Sequence, residues 1–304
     1  MTEAPALPHI QGLFLGSGSG FAEPGMAERV IELSGRDAAG LELLYLGTAT
    51  YDRAGPRHRQ TQRFRRLGCR LRRLEVATRV PSEAELADAV GRAHVVLASG
   101  GNTLYAVDRW VATGLDALLR RAVTAGLVAC GGSAGAICWF DGGHSDSMDP
   151  TTYLEPVPAD DPGASEWAYI RVSGLGLLPG LLCPHYAATG SNGAARAADF
   201  ERLLSRHAGE NGLGLDDWAG LLVDGERYRV VYAEGRPGSI GPHGRVADGS
   251  VAPGLWLHRV AGGRIRAAPA PTEGRLADIL RPARAIVADP LIEVARLENP
   301  FTPR

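Results

Sequence analysis

Lysine is missing from this chain. Its 304 residues carry 32 basic side chains, and every one of them is arginine. That absence excludes a lysine Schiff base, a P-loop lysine and a serine activated by lysine. Long hydrophobic runs are missing too. No stretch approaches the roughly 18 apolar residues of a membrane helix, so no membrane partner is expected. The N-terminal MTEAPALPHIQ has no basic segment ahead of an apolar one, and a signal peptide is not expected. Cysteine is scarce: Cys69, Cys130, Cys138 and Cys183 lie far apart with no C-x-x-C pair. They read as buried reduced thiols, not as a metal site, and the location expected is cytoplasmic. Net charge is small, with 32 basic residues against 34 acidic ones. It gives no support to a general nucleic-acid partner.

What is present is an ordinary globular composition, 45% hydrophobic and 22% charged, in a chain long enough for a sizeable core. Glycine is abundant and arginine fills every basic role. Ile10–Leu15, Leu41–Leu46, His94–Ala98 and Leu127–Cys130 are short apolar runs of the kind that form parallel strands buried on both faces. Cys69–Val76, with three arginines, suits a strand nearer the sheet edge. Between them Gln60–Leu67, Ser82–Arg92 and Thr113–Ala125 read as helices, and Ser82 with Glu85 has the spacing of a capping box. Alternation of this kind predicts an α/β fold, a doubly wound sheet with helices on both faces. Asp146–Arg171, with four prolines, reads as a long surface loop, and Ala194–His207 as a helix. Gly212–Ala233 is β-rich. Residues 1–235 are expected to form the main domain. Residues 236–304 are expected to form a β-rich extension on it, with a hairpin of Leu255–Val260 and Arg264–Ala268 and short helices at Leu276–Leu280 and Leu291–Leu297.

The most informative segment is Leu127–Phe140, LVACGGSAGAICWF. An apolar strand ends at Gly131-Gly132, Ser133 follows, and Ala134-Gly135-Ala136 opens a helix-like run. Residues 131–135 fit G-x-S-x-G, whose small residues permit a sharp turn that presents a serine hydroxyl. The plain alternative is a glycine-rich turn with a serine cap. In ASGGNT, Ala98–Thr103, a second strand ends in glycines. Parallel strands deliver both turns to one sheet edge, where the amides of Gly101 and Ala134 are candidate oxyanion donors and Asn102 shapes the turn and is a candidate substrate contact. Serine needs a base, and of eight histidines His185 stands out, closing the apolar run LLCPHY behind a proline. His9, His58, His207, His243 and His258 lie in polar or glycine-rich surroundings and are expected to face solvent. His144 follows Ser133 closely, in a stretch without evident constraint.

GGSAGAICWF, SGGNT, GLGLLPGLLCPHY and GLGLDDWAGLLVDG, in that order between Ile10 and Ala233, together resemble peptidase family S51, which includes aspartyl dipeptidase (peptidase E) and cyanophycinase. The resemblance implies a flavodoxin-like, class I glutamine-amidotransferase-like αβα sandwich, with Ser133 as nucleophile and His185 as its base. It implies an acid at Asp217 or Asp146, either of which must reach the imidazole nitrogen turned away from serine. Asp217 is favoured, and Asp216 is the last choice because it is expected to face solvent. The family places an arginine where Arg196 stands, eleven residues after His185, and a guanidinium suits bidentate binding of an aspartate side chain. A small peptide substrate, no cofactor, no metal and a homodimer are further implications. The function implied is a serine exopeptidase, a dipeptidase preferring N-terminal Asp. The alternatives are a cyanophycinase-like isopeptidase, an α/β-hydrolase-type esterase, and a binding homologue without turnover.

Two signals are discounted. LFLGSGSG, Leu13–Gly20, has Phe21 and Glu23 where a dinucleotide fingerprint needs glycine, and it reads as a loop framing the site. The nine arginines from Arg53 to Arg73 read as a solvated face.

Overall fold

The structure, a computed structural model, describes residues 9–241, 244–245 and 251–300. The N-terminal MTEAPALP and His243 lie outside the described residues. Up to the glycine pair the chain alternates as β1 (Gln11–Leu15), α1 (Met26–Leu33), β2 (Glu42–Leu46), α2 (Ala54–Arg66), β3 (Arg70–Leu74), α3 (Glu83–Arg92), β4 (Val95–Ala98), α4 (Thr103–Thr113), α5 (Leu115–Thr124) and β5 (Val128–Gly132). It continues through α6 (Ala134–Ile137), β6 (Phe140–Ser145), β7 (Ile170–Ser173), β8 (Leu178–Pro184), α7 (Arg196–Arg206), β9 (Gly212–Leu215), β10 (Ala219–Asp224) and β11 (Arg227–Tyr232). Beyond residue 235 come β12 (Ile240–Gly241), β13 (Gly244–Arg245), β14 (Leu255–Ala261), β15 (Arg264–Pro269), β16 (Glu273–Arg275), α8 (Leu276–Ile279) and α9 (Ile292–Glu298).

The fold is the flavodoxin-like αβα sandwich. The larger sheet has the order β16-β11-β10-β1-β5-β4-β2-β3. Its strands β1, β5, β4, β2 and β3 run parallel. Strands β4 and β5 are buried on both faces, which is why their sequences are unbroken apolar runs. On one face Met26, Ala27 and Val30 of α1 and Phe64 of α2 pack against Leu13, Leu43 and Leu97. On the other, Leu86 of α3, Trp110 of α4 and Leu119 of α5 cover Phe14, Leu44 and Val96. The arginine-rich β3 takes the sheet edge, and Ser82 and Glu85 close a capping box on α3. Among the described residues no helix is long and apolar enough to cross a membrane.

The sequence reading departs from the structure in four places. Alternation suggested one sheet, but β15-β14-β9-β8-β6-β7 form a second one, because β6, β8 and β9 pair with each other and not with β5. Helix α2 begins six residues earlier than its apolar spacing indicated, since Pro56 falls in the first turn, where no backbone donor is lost. The run behind Ser133 is one helical turn, and Phe140 already starts β6. Asp146–Arg171 is not all surface loop: it ends in β7 and buries Met148, Tyr153 and Tyr169. The segment after 235 adds β14 and β15 to the second sheet and β16 to the edge of the first.

Backbone crowding pins the turn between the sheets. A Cβ on Gly135 would lie 2.1 Å from the Ala98 carbonyl oxygen, and both partners are main chain. Gly135→Ala is therefore expected to cost on the order of 3 kcal/mol in urea unfolding. Gly91, near the exposed end of α3, has nothing within 4 Å of such a Cβ. Gly91→Ala should stabilise by about 0.4–1 kcal/mol in the same measurement.

Candidate active site

The end of β5 carries the first site residue. The register pairs Leu15 with Gly132 and Ala98 with Gly131, so the ends of β1 and β4 flank the glycines before Ser133. Ser133 itself has φ 57° and ψ −126°, an uncommon conformation for a residue with a side chain. Its amide donates to Leu15 O at 3.1 Å, and the turn of α6 begins directly behind it. The strained backbone is held by bonds on both sides and leaves the hydroxyl half-exposed.

The end of β8 carries the second. His185 also has positive φ, at 141°. Its Nε2 lies 2.5 Å from Ser133 Oγ and its Nδ1 2.5 Å from Asp217 Oδ1. Asp217 stands in the turn between β9 and β10. Burial alone would raise its pKa, but the hydrogen bond and charge of His185, with the charge of Arg196, hold it below the ordinary carboxylate value. The geometry therefore sorts the two carboxylates that the sequence left open. Asp217 sits on His185, and Asp146 sits on Arg196.

Beside them lies the glycine turn after β4. Gly101 has φ +123°, and a Cβ there would meet Ala49 O at 2.1 Å, so only glycine fits. A Cβ on Gly100 would stand 3.3 Å from the Ser133 Cβ, which puts this turn against the serine. Among the described residues no hydrogen-bond acceptor engages the amides of Gly101 and Ala134. Asn102 turns inward: its Oδ1 accepts from Tyr105 N at 3.0 Å, and its Nδ2 donates to Ser147 O and Thr152 Oγ1. It shapes the turn and caps α4 with a buried side chain.

Arg196, at the start of α7, is 4% exposed. It donates to Asp146 Oδ2 at 2.9 Å and to His144 O at 3.1 Å, and its guanidinium lies over the Tyr169 ring. Burial disfavours its charge, but Asp146 above all keeps its pKa raised. The same pairing, with the charge of His185, overcomes burial and lowers the pKa of Asp146.

Sequence reasoning missed the layer behind. His144 is no loop residue. It lies in β6, wholly buried, with Nε2 2.9 Å from Asp199 Oδ1 and Nδ1 facing the Cys183 thiol at 3.7 Å. Burial lowers its pKa to about 4, so it is neutral at pH 7 and donates to Asp199. His207 and His258, expected at the surface, are buried as well, whereas His9 and His58 are exposed. Asp216 points inward to Ser239 and Gly254, not to solvent. Nothing local in HSDS or GLGLDDW separates these residues from solvated ones; the signal is in the strand pairing.

Peptidase family S51 has a sequence profile that matches residues 13–231. An uncharacterised peptidase, YgaJ, of Bacillus subtilis (strain 168) is 30% identical over 190 residues, 62% of this chain and 72% of its own length. A protein of Trypanosoma brucei brucei named G2/mitotic-specific cyclin-1 is 26% identical over 325 residues, 96% of this chain and 94% of its own. The solved structure of a peptidase from an acI-B1 actinobacterium superposes with a TM-score of 0.56 at 18% identity, over 88% of this chain and 98% of that one, and shares its fold.

The Asp146–Arg196 pair generates a test. Asp146→Asn leaves a buried cation without its counter-charge and should cost about 3–5 kcal/mol in urea unfolding at pH 7. Asp146, Asp199 and Asp217 all have folded pKa values below the ordinary one. Their stabilisation is complete above the unfolded value of about 3.9 and is lost as pH falls through the depressed folded values. Urea midpoints from pH 7 to pH 2 should therefore fall more steeply for the wild type than for Asp146→Asn.

Proposed function

The chain belongs to peptidase family S51 and is a serine-type peptidase; from that premise we propose that it cleaves short peptides as an exopeptidase through an acyl-enzyme. The observation that carries the reading is the continuous contact from Ser133 Oγ through His185 to Asp217, 2.5 Å at each step. In this mechanism His185 Nε2 takes the hydroxyl proton as Ser133 Oγ attacks the scissile carbonyl. The carbon–nitrogen bond then breaks, and His185 returns the proton to the departing amine. Water, deprotonated by the same nitrogen, hydrolyses the ester. Asp217 keeps a proton on Nδ1 and balances the imidazolium. The amides of Gly101 and Ala134 receive the oxyanion. The helix behind Ala134 is a single turn, so the local N–H groups supply that stabilisation and a helix dipole adds little.

The finer reading is a dipeptidase that prefers N-terminal Asp. It rests on Arg196, placed behind His185 on α7. Its guanidinium is already compensated by Asp146, so a substrate carboxylate has to share or displace that partner. A cytoplasmic location belongs to the same proposal, and four buried, unpaired thiols suit a reducing compartment.

Ser133→Ala should lower kcat by about 10⁶-fold and abolish labelling by a fluorophosphonate probe. Full peptidase activity in that variant would end the proposal. The specificity is read from kcat/KM on Asp-X, Asn-X, Glu-X and β-aspartyl-arginine peptides. Asp-X is expected to exceed Asn-X by about tenfold or more, the value of one charge-assisted contact of about 1.5–3 kcal/mol. Equal rates across the four would remove Arg196 from substrate selection.

A further inference from the structure

We propose that Ser239, Gly254 and Trp256 form a positioning clasp for the active site, holding the Asp217 carboxylate on His185 through the buried side chain of its neighbour, Asp216. The proposal rests on the reading of Ser133, His185 and Asp217 as the catalytic set. All three clasp residues lie beyond residue 231, where the family match ends.

Asp216 is 1% exposed, and a carboxylate so buried has to be satisfied by donors. Its Oδ2 accepts from Ser239 N at 2.9 Å and from Gly254 N at 3.0 Å. The Ser239 hydroxyl donates to Oδ1 at 2.7 Å, and its oxygen accepts from Trp256 Nε1 at 2.9 Å. The backbone is tied as well. Asp216 N donates to Gly254 O at 3.1 Å, and Leu215 pairs with Leu255 where β9 meets β14. Consecutive Cα atoms are about 3.8 Å apart, so fixing Asp216 at side chain and main chain leaves the Asp217 Cα little freedom. A triad acid needs that precision, since a supporting shell must hold such groups to about 0.5 Å.

The same strand braces the other partner. Tyr186, directly after His185, packs its ring 5.8 Å from that of Trp256 and shares a 2.9 Å hydrogen bond with His258. Thus β14 stands behind the residues next to both His185 and Asp217.

The experiment uses the full chain and the rate at which a fluorophosphonate probe labels Ser133, which requires no knowledge of the natural substrate. Ser239→Ala and Asp216→Asn are compared singly and in an Asp217→Ala background, with folding checked by circular dichroism at the assay temperature. Asp217→Ala alone should slow labelling by about 10⁴-fold. Each clasp variant alone should slow it by about 10- to 100-fold, as expected for a catalytic group displaced by up to 1 Å. In the Asp217→Ala background the further loss should be under about twofold, because residues acting as one unit are not additive. Ser239→Ala keeps both backbone donors to Asp216 and decides the matter if Asp216→Asn does not fold. Wild-type labelling in Ser239→Ala, or an undiminished loss in the Asp217→Ala background, would overturn the clasp and leave the catalytic set standing. Wild-type labelling in Asp217→Ala would overturn both.

Discussion

The structure depends on main chain packed against main chain where β5 ends. Gly131, Gly132 and Gly135 admit the backbones of neighbouring strands and turns at distances that no side chain would permit. Ser133 is held in a positive-φ conformation by the bond from its amide to Leu15 O and by the helical turn that follows. Strain of this kind persists only where the surroundings over-determine it. Here β1, β4 and α6 do so, and the hydroxyl is aimed at the edge where β8 also ends.

The placement of charge follows from that edge. Two carboxylates come near His185, and each has found one partner: Asp217 takes the imidazole and Asp146 the guanidinium of Arg196. A buried arginine without Asp146 would be costly, and an imidazolium without Asp217 would be unsupported. The division is thus fixed by solvation as much as by distance. It also changes what Arg196 can do, since a cation neutralised in its own pocket attracts a substrate carboxylate less than a bare one.

Much of this was legible from residues alone. The apolar runs of β1, β2, β4 and β5, the arginine-rich edge strand β3 and the Ser82–Glu85 cap are local patterns with local causes. Ser133 and His185 were legible because a glycine-flanked serine and a histidine closing an apolar run are uncommon. The buried polar layer was not. His144 and Asp216 sit in short polar stretches that resemble solvated turns, and they become interior only when β6 pairs with β8, β8 with β9 and β9 with β14.

The sequence by itself determined the αβα class and the serine on its glycine turn, and the absence of lysine excluded a serine activated by lysine. Only the tertiary structure decided which aspartate meets that histidine and what Arg196 is paired with. It also decided that residues beyond 235 stand behind the site. The reason is physical: a turn or an apolar strand is set by neighbours a few residues away. The partner of a charge is set by which groups leave water together, and 32 residues separate His185 from Asp217 as 50 separate Asp146 from Arg196.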